Sequence, residues 1–172
     1  MSLQSTVLIN QGLGVIGDLY ADSPIRSQAY ILKSADPSNN VFGRVFTKIA
    51  GEQLQVEAGG TGVFAGFLAY PKEHALLGTV SGGTLAPSLT LPNEVTATCV
   101  SMGVIMVELP AVADLGDYVY YDVLTGELST QAPLSAPLVG TAFANAVVDY
   151  FQVTQPGIAV IKITDAPATS TL

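Results

Sequence analysis

Gly12-Leu13-Gly14-Val15-Ile16-Gly17 is a literal G-x-G-x-x-G that follows the β-prone run Thr6–Ile9. In a dinucleotide site such glycines let the backbone approach a pyrophosphate at a helix N-terminus, and an acid about twenty residues on, here Asp36, binds a ribose. That chemistry needs a crossover helix directly after the glycines. Asp18 to Arg26 is too short for one and contains Pro24, and the chain beyond does not alternate strand with helix. The motif therefore reads as a glycine-rich arm, and no cofactor is expected. His74, the only histidine, would have to serve any Ser-His-Asp arrangement, but no serine sits in a G-x-S-x-G elbow and Thr79–Gly83 is loop-like. Asp114, Asp117 and Asp122 have the oxygen chemistry a hard cation takes, yet their spacing is not that of an EF-hand. Beside Gly116 and Thr125-Gly126 they read as turn residues, and no metal is expected. Cys99 stands alone, so it forms no intramolecular disulfide and reads as a buried strand thiol in a protein of a reducing cytoplasm. The chain is not expected to be an enzyme.

The elements that would position these residues are strands. The most informative stretch is Met102 to Thr130. Val104–Val107 is a β-type run stopped by Pro110, Gly116-Asp117 is a turn, Tyr118–Tyr121 is a second run, and Thr125-Gly126 leads into Leu128 and Thr130. This spacing predicts an antiparallel meander. Further strands are expected at Ala29–Lys33, Val41–Lys48 with a bulge at Gly43, Val63–Tyr70, Val95–Leu109 with a bend at Gly103, Leu138–Ala144 and Ile158–Thr164. Asp36–Asn40 reads as a turn and Lys72–Leu77 as a short helical turn, and no segment sustains a helical period over three turns. The fold class is all-β: a compact antiparallel barrel or sandwich spanning 27–165, with an extended N-terminal arm over 1–26 and a small polar tail over 166–172.

Charged residues make up only 12% of the chain, which fits either a surface covered by other protein chains or a chain rich in Gly, Ala, Ser and Thr that stays soluble on neutral polar groups. The net charge is −8, and residues 73–161 contain no Lys or Arg. Direct contact with nucleic-acid phosphates is therefore not expected, and the acidic segment is expected to face away from the partner. No apolar run approaches a membrane-spanning length, and Met1–Thr6 does not open a signal peptide. Leu3, Val7, Ile9, Leu13, Ile16, Leu19 and Tyr20 form an apolar series broken by glycines, which suits docking on a neighbour better than an independent element.

Several phrases in order give the chain a family likeness. They are Pro24–Ala29, Asn40–Thr47, Gly59–Lys72, Leu91–Glu94, the Met102–Thr130 stretch and Pro156–Ile163. The chain resembles the structural cement, or head decoration, proteins of tailed bacteriophages. The resemblance implies an all-β virion protein, made in the bacterial host cytoplasm, that binds the exterior of the assembled capsid and cements neighbouring major capsid subunits. The major capsid protein is then its partner, together with further copies of itself as a homodimer or homotrimer. The seven apolar arm residues are the candidate capsid contacts. The competing reading is a tail, baseplate or fibre module that binds a receptor or glycan, for which Tyr118, Tyr120 and Tyr121 are the only dense aromatic cluster.

Overall fold

The computed structural model describes residues 14–20, 23–70, 90–133, 135 and 138–164. Nine strands follow in chain order: β1 (Arg26–Leu32), β2 (Val45–Lys48), β3 (Gln55–Ala58), β4 (Phe64–Leu68), β5 (Thr96–Leu109), β6 (Tyr118–Asp122), β7 (Leu128–Gln131), β8 (Thr141–Val148) and β9 (Gly157–Ile163). Their hydrogen-bonded order is β1-β3-β2-β4-β5-β9-β8-β6-β7, and β1 also pairs with β5. That extra pairing closes β1, β3, β2, β4 and the first half of β5 into a five-stranded barrel. The second half of β5 continues into a curled sheet with β9, β8, β6 and β7. The expectation of an all-β barrel or sandwich holds, with a barrel and additional strands as the outcome. Its antiparallel character is nearly complete, with a parallel step at β1–β3, where Ile31 aligns with Gln55 and Leu32 with Val56.

The 14-residue β5 bends at Gly103, whose φ of +137° lies where other residues are strained. Before the bend it pairs with β1 and β4, and after it with β9. Its alternation matches the sequence pattern: Ala97 and Cys99 point into the barrel, while Thr96 and Thr98 are more open. The expected bulge is present but not at Gly43, which sits in a turn before β2. It lies between Phe46 and Thr47, opposite Gly66. Gly66 is required there, because a Cβ would come within 2.4 Å of the Val100 carbonyl oxygen.

The predicted meander is half right. β6 and β7 form the expected hairpin, from Tyr118 against Gln131 to Tyr121 against Leu128. β5 and β6 are not neighbours; β9 takes the edge of β5, and β6 pairs with β8. Pro110 ends β5, and residues 110–117 carry the chain across to the far side of the sheet. β3 was not expected at all, because Gln55-Val56-Glu57-Ala58 is short and half polar. β8 runs four residues further than Leu138–Ala144 suggested, to Val148. The helical turn expected at Lys72–Leu77 lies outside the described residues.

Two cores result. The barrel interior holds Leu32, Phe46, Val56, Leu68 and Cys99. The second core lies between the outer wall of the barrel (Val45, Phe67, Val100) and the inner face of the sheet (Ile105, Val107, Val119, Ile161). Each fully buried large side chain contributes about 1.5–3 kcal/mol, so β2, β4 and β5 stabilise both cores at once. One end of the barrel is closed by a polar pin. Ser34 Oγ donates to Asn40 Oδ1, Asn40 Nδ2 donates to the Leu91 carbonyl at 3.0 Å, and Asn93 Nδ2 donates to the Ser34 carbonyl at 2.9 Å. The Ala58 amide donates to Ser34 Oγ, which ties β3 to the same knot.

Two outcomes follow from these cores. Asn40→Leu deprives a fully buried cluster of its centre and is expected to lower unfolding free energy by about 3 kcal/mol, read from denaturant melts at unchanged slope. Burial pushes the Cys99 thiol up to about 12 from 9.0, so the folded thiol stays protonated where the unfolded one ionises. Stability from this residue is full below pH 9 and falls by about 1.4 kcal/mol per unit as pH rises towards 12. Cys99→Ala should remove that part of the alkaline slope, and identical slopes in the two proteins would contradict it.

Candidate functional site

From Gly14 onward the G-x-G-x-x-G segment makes no helix. It lies along the free edge of β5 like an added strand. The Gly17 amide donates to the Met106 carbonyl at 2.7 Å, Met106 N to the Asp18 carbonyl at 2.9 Å, and Tyr20 N to the Val104 carbonyl at 3.0 Å, with Leu19 opposite Ile105. The Tyr70 amide donates to the Gly17 carbonyl, closing the segment onto the end of β4. These backbone groups are taken by the chain itself, so they form no phosphate cradle. Asp36, far from a ribose site, caps the Pro37–Asn39 turn. The hydrogen bond from the Ser38 amide holds its carboxyl below the usual range.

The other candidates for chemistry resolve into turns. Asp122 Oδ1 accepts from the amides of Leu124 and Thr125. Asp117 Oδ2 accepts from the Asp114 amide, and Asp114 Oδ1 accepts from Gln152 Nε2. Cys99 is fully buried, and His74 lies outside the described residues. A pocket of about 160 Å³ beside Arg44, Glu108, Pro110 and Glu127 is well below the size of a small-molecule site. Arg44 uses it to join the lobes: Nη1 donates to Asn39 Oδ1 and the Thr125 carbonyl, and Nη2 lies 3.6 Å from Glu127 Oε1. The three clustered tyrosines do not make an open stacking face. Tyr121 points into the core, with its hydroxyl donating to the Gly60 carbonyl, and Tyr120 is buried against Phe143 in an edge-on contact.

The surface is where a site remains. Of the seven candidate contacts, Ile16 packs beside the barrel core, Leu19 against the core between the lobes, and Tyr20 over Val104, Met106 and Val160 on the outer face of the sheet. Leu3, Val7, Ile9 and Leu13 lie outside the described residues. The body therefore begins within the expected arm, before residue 26. Tyr20 also meets two aromatics that the sequence reading passed over, Tyr150 at 5.3 Å and Phe151 at 5.8 Å between ring centres. The available signal was a pair of adjacent aromatics in the loop between β8 and β9, where a core role was not demanded by alternation.

Comparison with known proteins bears on this surface. The model of a family described as "Structural cement protein (E217 gp24/Pam3 gp6)" matches residues 3–164. The chain belongs to the structural cement protein family. As a member it is a structural, capsid-binding phage protein. A chain in the solved capsid of Myoviridae phage XM1 shares the fold, with a TM-score of 0.58 at 16% identity over 96% of this chain and 99% of that one. No curated protein matches.

The packing of the cement protein's segment 14–20 makes its own prediction. Leu19→Ala should destabilise the isolated protein by about 2 kcal/mol in denaturant melts, because it empties a partly buried place in the core between the lobes. An unchanged midpoint would mean that 14–20 is peripheral to the body.

Proposed function

We propose that this protein binds the outer surface of the assembled capsid and cements neighbouring major capsid subunits. The family match over residues 3–164 carries the reading. The fold supports it. Two lobes share one continuous strand and two cores, Asp36, Asp117 and Asp122 serve turns, and only 12% of the chain is charged. Such a body suits a passive, rigid link that works without catalysis, cofactor or metal. The net charge of −8 disfavours binding to the packaged nucleic acid and is in keeping with a partner on the protein shell.

In this reading Leu3, Val7, Ile9 and Leu13 reach the shell, while Ile16, Leu19 and Tyr20 anchor that reach to the body. Ordering an arm on a partner loses entropy, and a lattice of many copies compensates through avidity. The protein would act as a homodimer or homotrimer, made in the host cytoplasm and added to the shell there. A cut after residue 13 separates the two parts of the arm. Protein lacking residues 1–13 is expected to keep its unfolding midpoint and to need at least about tenfold more protein to saturate undecorated heads. Imaging of heads with and without the full chain should show the added density outside the shell. Density inside it, or unchanged binding by the truncated protein, would contradict the respective parts of the proposal.

A further inference from the structure

One end of the sheet lobe carries exposed apolar side chains on a braced base. Two connectors meet there, residues 110–117 and 149–153. Ala113 and Val153 exchange both backbone hydrogen bonds, at 3.0 and 2.9 Å, and both are buried in the core between the lobes. Gly116 N donates to the Val148 carbonyl and Val148 N to the Asp117 carbonyl, so the pair forms one fixed knob rather than two loose loops. On this anchored base the large apolar side chains point outward. Val112 is 62% exposed, Leu115 58%, Tyr150 48% and Phe151 42%. Large apolar groups gathered on a well-braced end of a protein mark an interaction surface more often than a neutral one.

Tyr150 adds a second observation. Its φ is +67°, in the left-handed region that a bulky residue enters only under constraint. The Asp149 carboxylate accepts its amide at 2.9 Å, and the next amide, of Phe151, returns to the Asp149 carbonyl. The turn thus spends stability to set two rings side by side, with Tyr20 edge-on to both. Asn or Gly would take that backbone more easily.

Charge identifies the occupant. The knob carries Asp114, Asp117 and Asp149, and residues 73–161 contain no Lys or Arg. Across residues 101–164 six carboxylates stand against the single Lys162. Aromatic faces beside carboxylates favour a guanidinium, which stacks on the rings and pairs with the acids. We propose that this knob docks onto an arginine-bearing apolar patch of a capsid subunit, a contact separate from that of residues 3–13. The inference rests on the capsid-cementing reading and gives the chemistry of its partner. It runs opposite to the expectation that the acidic segment faces away from the shell.

The test uses the full chain and undecorated heads. Tyr150→Asn keeps the turn and should leave the unfolding midpoint equal or higher. Phe151→Ser removes an exposed ring. Each should raise the concentration for half-saturation of heads by about tenfold or more. The triple variant D114N/D117N/D149N keeps oxygen acceptors for the turns while removing the charges. It should bind more weakly at low salt and flatten the salt dependence. Leu54→Ser, at an exposed apolar position on the barrel, should bind as the wild type does. Normal wild-type binding with all knob variants unchanged would overturn the inference and leave the cementing role intact. Variants that alter only self-association of the free protein would overturn it too, by assigning the knob to a second copy of this chain. Failure of the wild type to bind heads would remove the cementing reading itself, and this inference with it.

Discussion

The structure depends on the uninterrupted hydrogen bonding of β5. Its first half completes the barrel by pairing with β1 on one edge and β4 on the other. Its second half takes β9 on one edge and residues 17–20 on the other. A strand held on both edges around Thr98–Val100 and again around Val104–Met106 cannot slip by one residue without turning Cys99, Ile105 and Val107 out of their cores. The bend at Gly103 lets one strand serve two sheets, and Gly66 lets β4 pass close enough to Val100 for the barrel to close. The lobes therefore cannot hinge independently without breaking a common ladder.

The remaining links act on that frame. The Ser34–Asn40–Asn93 pin satisfies buried polar groups where the barrel would otherwise end in unpaired backbone, and it sets where β3 and residues 91–93 sit. Arg44 crosses from the barrel to the β6–β7 hairpin. Its ion pair with the largely exposed Glu127 adds little energy by itself, and its bonds to Asn39 and the Thr125 carbonyl do more to fix the hairpin's position. A body braced in this way transmits force between the barrel and the far end of the sheet, which a structural link requires.

Much of this was legible in the chain because strand signals are local. The alternation through Ala97, Cys99 and Ile105, the stop at Pro110 and the Thr125-Gly126 hairpin each depend on residues a few places apart. Pairing partners are not local, and there the reading failed. Nothing near Val104 or Tyr118 states that β9 and β8, more than twenty residues downstream, would come between them. Gln55–Ala58 has too few apolar residues to announce a strand, yet its neighbours on both sides make it one. The packing of residues 14–20 was not legible for a related reason: Ile16 and Leu19 look detached by their glycines, and only the open edge of β5 explains where they pack. The turn roles of Asp117 and Asp122 were legible, because Gly116 and Thr125-Gly126 stand close to them in sequence. The Tyr150–Phe151 surface was not, because its meaning lies in Tyr20, far away in sequence.

A link that binds only the assembled lattice must stabilise it by mass action, by about 2.7 kcal/mol per site when free protein is at a hundredfold excess over Kd. Summed over many sites, even weak individual binding then shifts the temperature at which the shell fails. The direct measurement heats undecorated and saturated heads side by side and records the release of packaged DNA. A capsid-cementing protein raises the release temperature of the saturated heads, and His74→Ala protein does so equally, since stabilisation by binding needs no catalytic group. Equal release temperatures at saturating protein would contradict the cementing role.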